Sequence, residues 1–134
     1  MNVVDSCGWL EYFANGSNAN FFAPAIECIK ELIVPDIVVF EVSRRLRQLY
    51  GEDGEARGLS FLEKGQFVSA GPALMRQAAT AASLYKLAMD DAIIWQTAQA
   101  HQAALYTQDV DLQGLPGVIY QARTTFGLST KASA

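Results

Sequence analysis

Short apolar runs alternate along this chain with longer stretches in which apolar residues recur at helical spacing. Runs rich in Val, Ile and aromatic residues are typical of strands in a parallel sheet, whereas a period of about 3.6 residues indicates amphipathic helices. The runs predict strands at residues 2–4, 32–35, 66–70, 103–107 and 118–120. The stretches between them predict helices at residues 6–14, 20–31, 36–50, 55–64, 72–84 and 91–102.

Prolines, glycines and one acid refine the predicted helix boundaries. Pro24 places the true start of the second helix near itself, because proline is tolerated in the first turn of a helix and disrupts its interior. Pro72 likewise suits the first turn of the helix that follows the third strand. Asp36 is suited to cap the third helix, and residues 51–54 predict a loop after it.

The alternation of strands and helices predicts an α/β fold. Parallel neighbours need crossover connections, so we expect a mainly parallel sheet of four to five strands flanked by helices. The length suits a single domain over residues 1–134, in which the small and polar residues 124–134 form a flexible tail. Ligands in such folds bind outside the carboxyl ends of the strands.

Four acidic residues lie where predicted elements begin or end, or inside an apolar run: Asp5, Glu41, Asp91 and Asp109. Asp5 and Asp109 follow strands and should stand at the carboxyl edge of the sheet, near the helix that Asp91 begins. Carboxylates in apolar surroundings are costly unless they are paired or bind a cation. If folding brings these carboxylates together, a hard divalent ion such as Mg²⁺ or Mn²⁺ would relieve their mutual repulsion. The pattern therefore predicts a metal-dependent phosphodiesterase.

Each acid also fits a structural role when it is taken alone. Asp5 could cap the first helix, and Glu41 could form a surface pair with Arg45 four residues later. One of Asp90 and Asp91 could cap the helix there, and Asp90 is the better cap if the helix starts at Asp91. The order and joint placement of the acids favour the metal-site interpretation.

Composition favours a globular chain in a reducing compartment. An apolar fraction of 51% and a charged fraction of 18% are typical of a domain with a filled interior. Cys7 and Cys28 lie among apolar neighbours, so we interpret them as small core residues rather than as a disulfide or zinc site. No apolar run approaches the roughly 20 residues of a membrane span, and no signal peptide is evident. We therefore expect a cytoplasmic protein.

The net charge of −4 weakens a nucleic-acid-binding interpretation without excluding it, because phosphate neutralisation usually requires a basic surface. Bound metal would neutralise some of the acids. The basic residues Arg44, Arg45 and Arg47 cluster within two helical turns of Glu41. As a hypothesis, one or two of these arginines contact substrate phosphates.

Three segments resemble the PIN-domain ribonucleases, with the VapC toxins as the nearest branch: VVDSCGWLEYF, IVPDIVVFEVSRRL and DDAIIWQTAQAHQAALYTQDVDLQGLPGV. The resemblance extends from Val3 to about Val118. It implies a PIN-like three-layer α/β/α fold. Trp95 and Leu112 depart from the residues usual in the family, but both are packing positions.

The resemblance also implies a set of site residues. Its four catalytic and metal-binding acids correspond to Asp5, Glu41, Asp91 and Asp109. It selects Asp91 over Asp90 because the family's third acid precedes an Ala-Ile-Ile run. It selects Asp109 over Asp111 because the fourth acid follows Thr-x. Supporting roles are expected for Ser6, Thr107 and Asp90.

What the resemblance implies is a Mg²⁺- or Mn²⁺-dependent endoribonuclease that acts as the toxin of a VapBC-type pair. Its expected partners are an RNA substrate, a cognate antitoxin that inhibits it and a second copy of the chain in a homodimer. One or two ions would activate water for attack on the phosphodiester. The aromatic residues within 9–22 are candidates for a groove that holds an antitoxin helix, and core packing is the alternative.

Two other enzyme classes fit the sequence less well. A phosphate-accepting receiver domain needs an acid after the third strand and a lysine after the fifth, which QFVSAG and VIYQA lack. A haloacid-dehalogenase-like phosphatase places its Asp-x-Asp pair after the first strand, not at Asp109 and Asp111. A catalytically silent PIN-fold scaffold or partner-binding domain remains the alternative function.

Overall fold

A five-stranded parallel sheet forms the centre of the computed structural model, which describes residues 1–124. The strands are β1 (Asn2–Val4), β2 (Leu32–Pro35), β3 (Gln66–Val68), β4 (Ala104–Thr107) and β5 (Val118–Tyr120). Their order is β3-β2-β1-β4-β5, and every neighbouring pair is parallel. The predicted α/β fold with a mainly parallel sheet is confirmed. The predicted flexible tail, apart from residue 124, lies outside the described residues.

Helices flank the sheet and connect its strands. They are α1 (Ser6–Phe13), α2 (Ala19–Glu27), α3 (Asp36–Leu62), α4 (Pro72–Tyr85) and α5 (Met89–Ala100). Short 3₁₀ turns lie between α2 and β2, at Ile29–Glu31, and between β4 and β5, at Val110–Leu112. The chain extends the sheet from β1 towards β3 and then returns to place β4 on the other side of β1. This reversal creates a crevice at the carboxyl ends of β1 and β4, where ligands bind in such folds.

The core lies against both faces of the central strands. Val3 and Val4 of β1 and Leu105 of β4 are fully buried, and all four residues of β2 are buried. Trp9 and Phe22 from the first two helices are also fully buried. A strand covered on both faces reads as a continuous apolar run, which is why the strand positions could be predicted from sequence.

Helix α2 differs from its prediction. It begins at Ala19 and carries Pro24 in its interior, whereas the sequence suggested a start near Pro24. Proline removes one helical hydrogen bond, but burial of Phe22, Ala25 and Ile26 on one face offsets that loss. The helix ends at Glu27, which leaves Cys28 exposed rather than in the core as predicted.

Helix α3 runs through the segment that was predicted as a loop. Two helical parts meet at Gly51, so the predicted helix end at residue 50 is confirmed, while the predicted loop over residues 51–54 is reduced to one non-helical residue. Gly51 has a φ of 74° and a ψ of −172°, a conformation that suits glycine. The N-cap of α3 is Pro35, so the predicted capping role of Asp36 is wrong. The Asp36 carboxylate instead accepts a hydrogen bond from the Ala70 backbone N–H at 3.3 Å.

Helix α5 begins two residues earlier than predicted. Its N-cap is Ala88, so both Asp90 and Asp91 lie in the first turn and neither caps the helix. Negative charge is favourable there because the helix dipole is positive at its N-terminus. Across residues 1–124, the helices include none that is both long and apolar enough to cross a membrane.

Candidate metal centre

Three carboxylates converge at the crevice between β1 and β4. Asp5, Asp91 and Asp109 each offer an oxygen within 4.8 Å of the others, and we call these three residues the metal centre. Asp5 directly follows β1, Asp109 follows β4 by two residues, and Asp91 lies in the first turn of α5. Parallel pairing aligns Val4 with Tyr106 and thereby brings the two strand ends together.

Asp5 is held rigidly by local and distant donors. Its Oδ1 accepts the Ser6 backbone N–H at 2.8 Å, and its Oδ2 accepts the Thr107 hydroxyl at 2.6 Å. The Cys7 thiol lies 3.5 Å from the same Oδ2. Burial nevertheless raises the pKa of Asp5, because desolvation of the carboxylate outweighs these hydrogen bonds. The side chain therefore caps α1 and also points an oxygen into the crevice.

Thr107 links the two strand ends. Its fully buried hydroxyl donates to Asp5 and accepts the Asp109 backbone N–H at 2.9 Å. The Asp109 carboxylate in turn accepts the backbone N–H of Asp111 at 2.9 Å. One hydroxyl thus fixes the positions of two members of the metal centre. Asp111 is exposed and lies outside the cluster.

Asp91 is buried among other carboxylates. The residue is 6% exposed, and its pKa is raised to about 8, first by burial and then by the negative charges of Asp109, Asp5 and Asp90. Within residues 1–124, the ion pairs involve only the N-terminus of Met1 and the side chain of Arg47. No described basic side chain therefore neutralises the metal centre.

Glu41 stands at the border of the site rather than in the cluster. The Ser6 hydroxyl donates to Glu41 Oε1 at 2.5 Å and so ties α3 to the start of α1. The pKa of Glu41 is raised to about 7, first by burial and also by its hydrogen bond and charge contact with Asp90, against which the Ser6 hydrogen bond acts. The structure thus brings three of the four predicted acids within ligand distance, and places the fourth beside Ser6 and Asp90.

Cys7 is a neighbour of the site that sequence interpretation assigned to the core. Its half-buried thiol lies near Asp5 and 3.8 Å from the Thr107 hydroxyl. Burial and the charge of Asp5 raise the pKa of this thiol to about 12, which keeps it protonated and able to donate. Its position two residues after Asp5, in the first turn of α1, was the available clue.

The predicted arginine cluster on α3 is exposed, and its members differ in their contacts. Arg47 donates to Glu55 at 2.8 Å and to Glu52 at 3.3 Å, and we call these three residues the Arg47 network. Arg45 donates to Gln48 at 3.4 Å. Arg44 and Arg45 lie three and four residues after Glu41, one helical turn further along α3. The predicted surface pair between Glu41 and Arg45 is not among the ion pairs of residues 1–124.

The aromatic residues of the predicted groove divide between the core and the surface. Trp9 and Phe22 are fully buried and serve core packing. Phe13 instead lines a groove of about 370 Å³ together with residues of α3 on both sides of the Gly51 kink: Leu46, Tyr50, Gly54, Arg57, Gly58 and Phe61. We call this the α1–α3 groove.

The donor chemistry of the metal centre fits a hard divalent cation. All three converging groups are carboxylates, and Mg²⁺ and Mn²⁺ prefer oxygen ligands of this kind. The raised pKa values of Asp5 and Asp91 mean that ionising these carboxyls is unfavourable in the metal-free fold. A bound cation would offset that cost and favour the ionised carboxyls.

Comparisons with known proteins agree with this architecture. A family model described as PIN domain matches residues 3–118. A toxin–antitoxin complex from Klebsiella pneumoniae has a similar structure (TM-score 0.76, 24% identity, 89% of this chain and 96% of that one). VapC20 of Mycobacterium tuberculosis, described as a sarcin-ricin-loop-cleaving toxin, is also similar (TM-score 0.73, 14% identity, 88% and 97%). These structural likenesses establish the fold. No curated protein matches the sequence.

Proposed function

The chain belongs to the PIN-domain family, and on that premise we propose that it is a metal-dependent endoribonuclease acting as the toxin of a VapBC-type toxin–antitoxin pair. The observation that carries the proposal is the convergence of Asp5, Asp91 and Asp109 from three separate elements. Burying three like charges together is unfavourable for the fold alone. A function that needs a divalent cation explains why the sequence maintains this arrangement.

The three carboxylates of the metal centre would hold Mg²⁺ or Mn²⁺ through oxygen atoms. When bound, such an ion lowers the pKa of a water molecule and offsets charge on the scissile phosphate. Thr107 keeps the Asp5 carboxylate and the Asp109 backbone in a fixed relation before substrate arrives. This preorganisation reduces the rearrangement needed to reach the reactive geometry.

Glu41 is suited to exchange a proton at the border of the site. With a pKa of about 7, its carboxyl can take up or release a proton near neutral pH. Ser6 orients the side chain through Oε1, and Asp90 contacts it from α5. We therefore assign Glu41 to the catalytic site, with Ser6 and Asp90 supporting it, and retain Arg44, Arg45 and Arg47 as weaker candidates for RNA contacts.

The proposed partners follow from the family and from the surface. The α1–α3 groove is apolar at Phe13, Leu46 and Phe61 and carries the positive charge of Arg57, which suits an amphipathic antitoxin segment with an acidic residue. The proposal also includes a single domain over residues 1–134, a homodimer and a cytoplasmic location. Leu84 and Met89 are 67% and 72% exposed, and are candidates for the homodimer surface.

The decisive experiment is cleavage of mixed cellular RNA by the purified chain with added Mn²⁺ or Mg²⁺. Asp5→Asn and Asp91→Asn remove one ligand charge each and are expected to abolish metal-dependent cleavage while leaving the fold intact. Asp111→Asn is the matched control, because it removes the same charge from an exposed position beside the site. Equal activity in all four proteins would assign the cleavage to a contaminant or to another site.

Absence of cleavage by the wild-type chain, after a bound antitoxin has been excluded, would favour the scaffold function instead. A scaffold would bind its partner equally well after the carboxylates are neutralised. Metal titration by calorimetry separates the two cases independently of turnover, since a metal-dependent nuclease must lose Mn²⁺ affinity in Asp91→Asn and keep it in Asp111→Asn.

A further inference from the structure

The chain segment after β5 returns to the metal centre and is fixed beside it. The Gln121 backbone N–H donates to the Thr107 carbonyl at 3.1 Å. The Asn18 side-chain amide donates to the Ala122 carbonyl at 3.0 Å and to Gln108 Oε1 at 2.9 Å. Asn18 and Gln108 are only 4% and 3% exposed, so this anchor is part of the folded interior. The next residue of the anchored segment, Arg123, is exposed.

A small polar cleft joins Arg123 to the site. It has a volume of about 100 Å³ and is lined by Glu11, Ser17, Gln108, Arg123 and Thr124. Gln108 stands between Thr107 and Asp109 in the chain, so the cleft lies next to the chain segment that carries Asp109. Cys7 and Glu11 are four residues apart and so lie on one face of α1. Cys7 contacts Asp5, and Glu11 lines the cleft.

Arg123 supplies the positive charge among the residues that line this cleft. Arg123 takes part in none of the ion pairs within residues 1–124. By contrast, Arg47 is already paired with Glu52 and Glu55. Arg123 is therefore a positive charge that borders an otherwise acidic site.

We propose that Arg123 positions the substrate by binding the RNA phosphate next to the one that is cleaved, on the side of the cleft lined by Gln108 and Ser17. This inference rests on the proposed ribonuclease function. A chain with net charge −4 and a carboxylate cluster repels an RNA backbone, so a nearby guanidinium is needed to hold the strand in register. Guanidinium groups bind phosphate through two parallel hydrogen bonds, and the buried Asn18 anchor limits the motion of this one.

The test compares wild type, Arg123→Gln, Arg123→Lys and Lys30→Gln in Mn²⁺-dependent cleavage of a labelled random-sequence single-stranded RNA. Lys30→Gln is the matched control, because it removes one positive charge from an exposed residue shortly before β2, at the amino end of the strands and so away from the carboxyl ends that carry the site. Arg123→Gln is expected to raise KM about tenfold while leaving kcat within about twofold. The slope of log KM against log salt should fall by about 0.7, which corresponds to one lost phosphate contact on a single strand.

Arg123→Lys should retain the salt slope and recover part of the KM, because it keeps the charge and loses the paired geometry. A KM and salt slope in Arg123→Gln equal to those of Lys30→Gln would overturn the inference and leave the ribonuclease intact. A fall in kcat alone would also overturn it, since it would indicate a structural effect on the metal centre. No cleavage by the wild type would remove the proposed function itself, and this inference with it.

Discussion

Two acidic regions of this molecule use the same residue types in opposite ways. In the metal centre, three carboxylates meet at a buried sheet edge with no described basic partner, and the pKa values of Asp5 and Asp91 are raised. In the Arg47 network, the exposed Glu52 and the half-buried Glu55 share one exposed arginine. Surface pairs of the second kind contribute little to stability and can be lost at small cost. Carboxyls that converge without a basic partner therefore distinguish the proposed functional region from the Arg47 network, where the carboxylates are paired with an arginine.

The largest expected difference between the regions is in activity. Asp109→Asn removes a carboxylate from the metal centre and should reduce metal-dependent RNA cleavage by at least about a hundredfold. Glu55→Gln removes a carboxylate from the Arg47 network and should change the rate of RNA cleavage by less than about twofold. Initial rates at saturating Mn²⁺ measure both. A comparable loss in the two variants would mean that the comparison does not separate function from surface.

Thr107 adds a second difference between the two regions, because its neutral hydroxyl holds two of the three acids of the metal centre in place. Thr107→Val keeps the shape and loses the hydroxyl that donates to Asp5 and accepts from Asp109. Cleavage should fall about 10- to 100-fold, as for other residues that orient metal ligands. Thr107→Ser retains the hydroxyl and should recover most of the rate. Failure of serine to rescue would assign the effect to packing of the lost methyl group.

The pH dependence of stability should differ in sign from that of a protein stabilised by ionised carboxylates. The folded-state pKa of Asp91 is about 8, above its usual 3.8, so the protonated form stabilises the fold and that contribution is lost as pH rises from about 4 through 8. Glu41, with a pKa of about 7, acts in the same direction. The metal-free chain should therefore have a lower Tm at pH 8 than at pH 5.

Thermal melts in EDTA across this pH range provide the measurement, with Asp91→Asn as the variant that should weaken the trend. Glu55→Gln is the matched control and should leave the trend unchanged. Added Mn²⁺ should raise Tm more at pH 8 than at pH 5, because the ion competes with protons for the carboxyls. A metal-free Tm that rises with pH would contradict the raised pKa values.

The smallest expected effect lies at the kink beside the Arg47 network. Gly51→Ala places a side chain at φ 74° with no neighbouring atom within 4 Å, so the backbone strain alone should destabilise the fold by about 1–2 kcal/mol. Gly71→Ala is the matched control, since that position is equally open and has an extended backbone. Chemical denaturation compares the two variants. Cleavage per folded molecule should be unchanged in both.

The sequence was sufficient to predict what depends on local pattern. Strand positions follow from apolar runs, and the placement of Asp5 and Asp109 at one sheet edge follows from strand–helix alternation. The sequence could not show that Glu41 lies outside the cluster of three acids and accepts a hydrogen bond from Ser6, because these two residues are 35 positions apart. Local rules also failed at Pro24, where packing of one helix face sustains α2 across a residue that usually ends a helix. At Gly51 they located the break in α3 but overestimated the length of the loop.

The long sequence separation within the metal centre bears on how the chain is synthesised. Thr107 and Asp5 are 102 residues apart, and β1 must pair with β4 before their side chains can meet. A nascent chain that has not yet released β4 from the ribosome therefore cannot assemble the cluster, even if β1, β2 and β3 have already folded. Such late completion would delay any nuclease activity until β4 has left the ribosome, which would protect the message and ribosome while the preceding hundred or so residues are being made.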